Sequence, residues 1–417
     1  MKKTLKIILF ILAGLILLII LGSYICYKTY RAKDPVTETN TTLLKYYHST
    51  YDECRKVFIQ NIERVSADFD SVLTGKFSVP SQIDNDLTVD WCYIPARGTK
   101  EKLLMVNSGL HGIEGFTGSA IQNMFIDRIL EQHLHENMGV LLIHGLNPFG
   151  FKYHRKVTEN NIDLNRNCVR GDQMFDIRNE GFAALTDMLM PSGPVNINSL
   201  RNQFFHLVSI YRIIRESMPV LRQAALQGQY DFEKGFYYGG KDYEPQIDSL
   251  KPFLIDIIRR YKTLLNVDLH TAYGERGTMH LFIDEPEDEA VRKGIEKIFA
   301  GADIDWGSSD DFYTITGEYT VWVNDLVPEV LCIPMVFEFG TLNSQETFGS
   351  LKSIQIMILE NQGAHYGYRN IKHEEKTKHL FDEMYFPSSA VWRSKVIADS
   401  FEMMSKMMKN FEEFESE

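Results

Sequence analysis

A histidine and a glutamate three residues apart, in Val106-Asn-Ser-Gly-Leu-His-Gly-Ile-Glu-Gly-Phe-Thr-Gly-Ser-Ala120, are the first residues whose types and spacing suggest chemistry. The run before them, Lys102-Leu-Leu-Met-Val106, reads as a buried strand, and the run from Phe116 to about Leu134 has helical periodicity. His111 and Glu114 therefore occupy the loop at a strand's carboxyl end, where open α/β sheets place their sites. Glycines at 109, 112, 115 and 118 let the loop turn tightly and bring an imidazole and a carboxylate together. Nitrogen and oxygen donors suit zinc, and a catalytic zinc takes three protein ligands with one position open. The loop would supply two. By itself the pair is a weak signal, because the chain has 12 histidines and a second H-x-x-E occurs at His133-Leu-His-Glu136. That copy has neither the glycines nor the preceding strand, and it reads as a solvated helix end.

Three other stretches carry residues of matching chemistry. The strand Leu264-Leu-Asn-Val-Asp-Leu269 ends on His270, at the position from which a third ligand should come. Asp268 is a candidate partner behind that imidazole unless the strand's alternation turns it away. His280, in the strand Met279 to Asp284, reads as a packed residue. Glu338 lies in the strongly apolar run Ile333-Pro-Met-Val-Phe-Glu-Phe-Gly340, where a carboxylate is costly unless paired or catalytic. The apolar strand Met138 to His144 opens into a long polar loop ending near Asn167, and loops this long with little periodicity tend to be functional. It holds Arg155 and Arg166 among Asn147, Asn165 and Asn167. A guanidinium can grip a carboxylate through paired hydrogen bonds or polarise a carbonyl; taken alone, these would be ordinary surface residues.

The elements that must position these residues alternate between strand and helix patterns, which predicts an α/β fold with a mixed, mostly parallel twisted sheet flanked by helices. An amphipathic helix is expected from Leu43 to about Phe69, and a hairpin at the sheet edge from Leu87–Ile94 paired with the strand before His111. Residues 170–245 read as a mainly helical insertion. Its Phe236-Tyr-Tyr-Gly-Gly-Lys241 is either an aromatic wall near a site or a surface turn. Helical patterns follow at Gln246–Tyr261, Glu287–Ala300, Gln345–Gln362 and Ala390–Phe414, and Phe312 to Trp322 is aromatic-rich.

Ahead of all this, Lys2, Lys3 and Lys6 precede an uncharged run from Ile7 to Ile25, about 19 residues, enough at ~1.5 Å per residue to span a ~30 Å hydrocarbon core. Residues 1–32 are read as an uncleaved, single-pass anchor in a lipid bilayer; a cleaved signal and a buried core helix are the other readings, and no small-x-small cleavage site favours the first of these. Residues 33–42 are read as a polar linker and 43–417 as one large domain that carries the candidate site residues. Basic residues flank the run almost evenly, and the acidic and polar residues after it tip the expectation towards an extracytoplasmic domain. A net charge of −12, with no Lys/Arg cluster outside the membrane flank, argues against nucleic acid. The five cysteines, at 26, 54, 92, 168 and 332, make no C-x-x-C; in an oxidising compartment one pair among the last four could bridge.

Five elements stand in one order: Gly-Leu-His111-Gly-Ile-Glu114-Gly, Asn147-Pro-Phe-Gly, Arg155 with Ile-Asp-Leu-Asn165-Arg166-Asn167, Asp-Leu-His270-Thr and Phe-Glu338-Phe-Gly-Thr341. Over roughly residues 43–370 this order resembles the zinc carboxypeptidase superfamily, most closely a mainly bacterial branch with H-G-x-E-G, D-L-N-R-N and D-L-H-T motifs. The resemblance implies one zinc ion held by His111, Glu114 and His270, with water in the fourth position. It implies Glu338 as general base, Arg155 as the group that stabilises the oxyanion, and Asn165 with Arg166 as the grip on a terminal carboxylate. For the tyrosine that closes over substrate, Tyr319 is the first choice and Tyr313 the next. The gap from Glu114 to His270 exceeds that of digestive carboxypeptidases, as the insertion requires. The expected function is a membrane-anchored zinc hydrolase cleaving a terminal peptide bond. A zinc deacylase acting on N-acyl amino acids or cell-wall peptides is the alternative, and an inactive peptide-binding module the second. No G-x-S-x-G elbow supports a serine hydrolase.

Overall fold

Strands covered on both faces read as unbroken apolar runs, and such runs form the centre of the sheet. The computed structural model describes residues 2–67, 71–133, 136–170, 175–307 and 315–415. Among these, eight strands make one mixed sheet: β1 (Leu73–Ser78), β2 (Thr88–Ile94), β3 (Lys102–Ser108), β4 (Met138–His144), β5 (Thr263–Ala272), β6 (Met279–Ile283), β7 (Ile304–Trp306) and β8 (Leu331–Gly340), in the order β1-β2-β4-β3-β5-β8-β6-β7. Neighbours from β4 through β3 and β5 to β8 are parallel, whereas β1, β2 and β6 join antiparallel.

The longer helices are α1 (Lys2–Thr29), α2 (Tyr51–Ser66), α3 (Gly115–Arg128), α4 (Phe205–Glu216), α5 (Met218–Leu226), α6 (Pro245–Ile258), α7 (Glu289–Ile298), α8 (Tyr319–Asp325), α9 (Thr347–Tyr366), α10 (Ile371–Tyr385) and α11 (Ala390–Glu413). Alternation decides which side of the sheet each residue serves. Leu104, Val106, Leu265, Val267, Ile333 and Met335 pack with α2, α3, α7 and α11. Leu103, Met105 and Leu264 face α6 and α8 on the other side. A third apolar cluster, with residues from α5, α9 and α10 against Ile113, Phe116 and Phe151, closes over the carboxyl ends of the central strands.

Several expectations are corrected. β2 does not pair with β3: the β3–α3–β4 crossover sets β3 and β4 side by side in parallel, so β2 lies beyond β4 and makes its edge hairpin with β1. The helix expected from Leu43 is broken after a 3₁₀ turn at Thr41–Tyr46, and α2 begins afresh where the Thr50 side chain caps the Glu53 amide at 3.2 Å. In the stretch read as a polar linker, Asp34 binds Arg276 and Ser389, each at 2.7 Å. All five cysteines are free. α1 is long and apolar enough to cross a membrane by length and composition.

Candidate metal centre

The His111 loop is held by its neighbour rather than by its own sequence. Gly109 and Gly145, after β3 and β4, both turn with φ +70°, and the Cα of Gly145 comes so close to Gly109 that a side chain at 109 would meet it at 3.2 Å. The Gly112 and Ile113 amides donate to the carbonyls of Lys156 and Arg155 at 3.1 and 3.0 Å. Asn147 locks the opposing loop, accepting from the Gly150 amide at 2.9 Å and donating to the Lys156 carbonyl at 3.1 Å. A Cβ on Gly112 would fall 2.1 Å from the Gly150 carbonyl carbon, so the two backbones touch where glycine alone fits.

That scaffold presents His111 and Glu114 to His270, which projects from the carboxyl end of β5. Glu114 Oε1 lies 2.9 Å from His111 Nδ1, Glu114 Oε2 lies 2.9 Å from His270 Nδ1, and the two Nδ1 atoms are 3.2 Å apart. All three residues are buried, with one donor atom from each within 4.8 Å of the others. Zinc bonds of about 2.0–2.1 Å in a tetrahedron put ligand atoms roughly 3.3–3.4 Å apart, close to this spacing. The donor set therefore fits zinc.

Each imidazole turns its other nitrogen to a carboxylate, as metal-binding histidines do. His270 Nε2 meets Asp268 Oδ2 at 2.8 Å, and His111 Nε2 lies 3.2 Å from Asp163 Oδ1. Asp268 and His270 are two residues apart, so the strand's alternation sets them on one face rather than turning Asp268 away. Burial disfavours charge on His270, and Asp268 followed by Glu114 more than reverses this, holding the imidazole's pKa well above its usual range. For Glu114 burial pushes upward, but His111 and then His270 bring the carboxyl to about 2.

Glu338 on β8 is the direct cross-strand partner of His270, so both side chains share a face. Its Oε1 accepts from the Tyr273 amide at 2.9 Å. Burial first, then the charge of Glu114, raise its carboxyl to about 8.

The three donors and Glu338 line a cavity of about 150 Å³ together with Lys156, Asn165, Arg166 and Tyr237. Arg166 donates to the carbonyls of Asn165 and Leu226 at 2.9 and 2.5 Å, and makes no ion pair among the described residues. The Tyr237 ring has two cations over it, Lys156 Nζ at 4.6 Å and Arg166 Cζ at 4.8 Å from its centre.

Two expected site residues are placed elsewhere. Arg155 does not line the cavity; its Nε donates to Glu360 at 2.8 Å, and the next residue, Lys156, turns inward to pair with Asp163. Tyr319 is fully buried beneath the site, its hydroxyl donating to Asn107 Oδ1 at 3.2 Å and its amide to Asn165 Oδ1 at 2.9 Å. It cannot close over anything in that position. Tyr313 lies outside the described residues. His133 is half-buried and pairs with Glu412 on α11 at 2.5 Å, so it is not on the solvated face expected of it, and His280 lies within β6 as expected.

Sequence reasoning missed Lys156, Asp163 and Glu318. Asp163 stood in the quoted Ile-Asp-Leu-Asn run, two residues before Asn165. Nothing in the sequence separates Lys156 from Arg155, because backbone bonds from the His111 loop decide which of the two faces inward. Glu318, at the start of α8, is buried at the cavity wall, and burial, then Asp284, raise its carboxyl to about 7.

Comparison with solved structures finds bovine thrombin-activatable fibrinolysis inhibitor in complex with tick carboxypeptidase inhibitor, at 14% identity and a TM-score of 0.44, covering 77% of this chain and 98% of that one. Carboxypeptidase A from Helicoverpa armigera matches at 13% and 0.40, over 76% and 74%. A succinylglutamate desuccinylase from Silicibacter matches at 12% and 0.34, over 71% and 67%. Comparison with curated proteins gives no significant match. The family model described as "Protein of unknown function (DUF2817)" matches residues 47–399, most of the chain, and the protein belongs to that family.

Proposed function

We propose that the protein is a membrane-anchored, zinc-dependent hydrolase that cleaves a terminal peptide bond in the manner of a carboxypeptidase. The observation that carries this reading is the convergence of one nitrogen from His111, one from His270 and the Glu114 carboxylate at the base of a cavity, with Glu338 on the adjacent strand. His111, Glu114 and His270 would hold one zinc ion, which when bound would polarise a water molecule and the scissile carbonyl. Glu338 would take the proton from water and return it to the leaving amine. Its carboxyl, raised to about 8 by burial and then by Glu114, would be drawn back down by a dication at the same centre, which would favour the ionised base.

Arg166, without a carboxylate partner among the described residues, would grip the substrate's terminal carboxylate beside Asn165. Lys156 is the cation that faces the cavity where Arg155 was expected, and would meet the developing oxyanion. Tyr237, not Tyr319, would bring a phenol to the substrate.

A second reading, an amidase that removes an acyl group from an amino acid, is favoured by the apolar part of the cavity wall, which includes Phe236, Phe282, Ile354 and Met357. The readings separate on substrates. The peptidase reading expects release of a carboxyl-terminal amino acid from free peptides and not from the same peptides amidated, with KM raised by Arg166→Met. Equal cleavage of free and amidated peptides would contradict the carboxylate grip, and faster release of acid from N-acyl amino acids would favour the amidase.

A further inference from the structure

The carboxyl end of α1 is fastened to the domain. Tyr27 is buried, with its ring stacked on His206 at 4.8 Å and its hydroxyl donating to Gln355 at 2.7 Å. Tyr24 leans on Phe204 at 5.5 Å, and the Tyr30 hydroxyl donates to Glu346 at 3.1 Å. With Asp34 tied to Arg276 and Ser389 as well, α1 leaves in a fixed direction. Its apolar run ends at Ile25, within one turn of Tyr27, so whatever surrounds residues 7–25 ends level with the start of α4.

α4 turns an apolar face outward there. A helix on a water-facing surface buries its apolar stripe and exposes its polar one. Here Phe205, His206 and Ser209 are buried, while Phe204, Val208, Tyr211 and Ile214, spaced by four, three and three residues, are 41%, 47%, 56% and 78% exposed. Leu200 before the helix and Val220 on α5 are also open to solvent, at 77% and 52% exposed. Arg201, Arg212 and Arg215 lie on the same segment, Arg201 donating to the carbonyls of Asp187 and Met188 and Arg212 pairing with Asp187 and Glu216, which leaves Arg215 as its outward cation. Lys28, Arg31 and Lys376 gather near Lys352 at the foot of α1, and burial with these charges lowers the Lys352 ammonium to about 8. An apolar strip with cations beside it is the composition of a helix lying at lipid headgroup depth, where basic residues are drawn to anionic lipid.

We propose that α4, with Leu200 and Val220 at its ends, rests in the headgroup region of an anionic lipid bilayer beside α1, so that the domain lies on the membrane instead of standing off it. This rests on reading α1 as an anchor. α5, on which Val220 is exposed, also lends Arg222 and Leu226 to the cavity.

The test uses the full-length protein in vesicles of phosphatidylcholine and phosphatidylglycerol. Single cysteines at Leu15, Val208, Tyr211, Arg212, Ile214 and Glu216, in a Cys26→Ser background, carry an environment-sensitive fluorophore read against brominated lipid and aqueous iodide. We expect lipid quenching at Leu15, and at 208, 211 and 214 at least about twofold more than at 212 and 216, the period of a helix lying in the interface. Quenching at Leu15 with 208, 211 and 214 open to iodide would overturn the inference and leave the anchor standing. Shielding of those three from both quenchers would also overturn it, in favour of a protein or second copy on that face. Absence of lipid quenching at Leu15 would remove the anchor and the inference together.

Discussion

Neighbouring residues in one loop can have opposite fates, and Arg155 with Lys156 is the instance that bears on chemistry. Arg155 ties the loop to Glu360 on α9, whereas Lys156 enters the cavity. Replacing Arg155 by Met removes a charged hydrogen bond in a partly buried setting, worth about 1–3 kcal/mol. We expect thermal melting to fall accordingly while kcat stays within about threefold of the parent. Loss of turnover at unchanged stability would return Arg155 to the reaction. The three donors and Glu338 could be read from sequence because each stands in a short run whose strand or glycine pattern fixes its place: His111 and Glu114 among glycines, His270 and Glu338 at matching positions of two apolar strands. Asp268 was open to the same reading, since residues two apart in a strand share a face. Tyr319 was not readable, because its type suits a cavity wall and a buried hydrogen bond to Asn107 equally well.

At the scale of elements, apolar runs and helical periods located the central strands and most helices, since these follow from burial alone. Pairing was harder. Whether β2 lies beside β3 or β4 depends on the crossover through α3, which local sequence does not contain. Helix α10 and the short edge strands β1 and β7 went unforeseen: β1 alternates across exposed and half-buried positions and has no strong apolar run, and α10 carries few apolar residues among many charged ones. The loop pair that holds the centre makes its own prediction. Gly112→Ala would drive a methyl into the Gly150 backbone, and overpacking of this kind costs about 1–3 kcal/mol. We expect a lower melting temperature together with weaker zinc retention on dialysis against a chelator. Unchanged zinc retention would mean that the contact does not position His111.

The whole molecule carries a pH dependence separate from the candidate metal centre. His144, at the end of β4, is fully buried, stacked on Phe58 at 4.6 Å and bonded through Nε2 to Ser119 at 3.0 Å. Burial lowers its pKa from 6.5 to about 4. Above pH 6.5 the imidazole is neutral in both folded and unfolded chains and contributes no pH dependence. Between about 6.5 and 4 only the unfolded chain takes the proton, so stability falls by up to roughly 3 kcal/mol and the effect saturates below. Melting followed at pH 7 and pH 5 should drop less for His144→Phe than for the parent. Equal drops would show that His144 does not carry this acid sensitivity. Carboxylates held ionised, such as Asp163, add their own acid loss in both proteins and cancel in the comparison.

Zinc content and turnover measured on the same preparations of full-length protein test the central claim most directly. We expect about one zinc per chain in the parent, its loss in His270→Ala, and its retention in Glu338→Gln with turnover reduced by about 10²-fold or more. A parent chain without stoichiometric zinc after expression in zinc-replete medium, or a Glu338→Gln variant that turns over at the parent's rate, would contradict it.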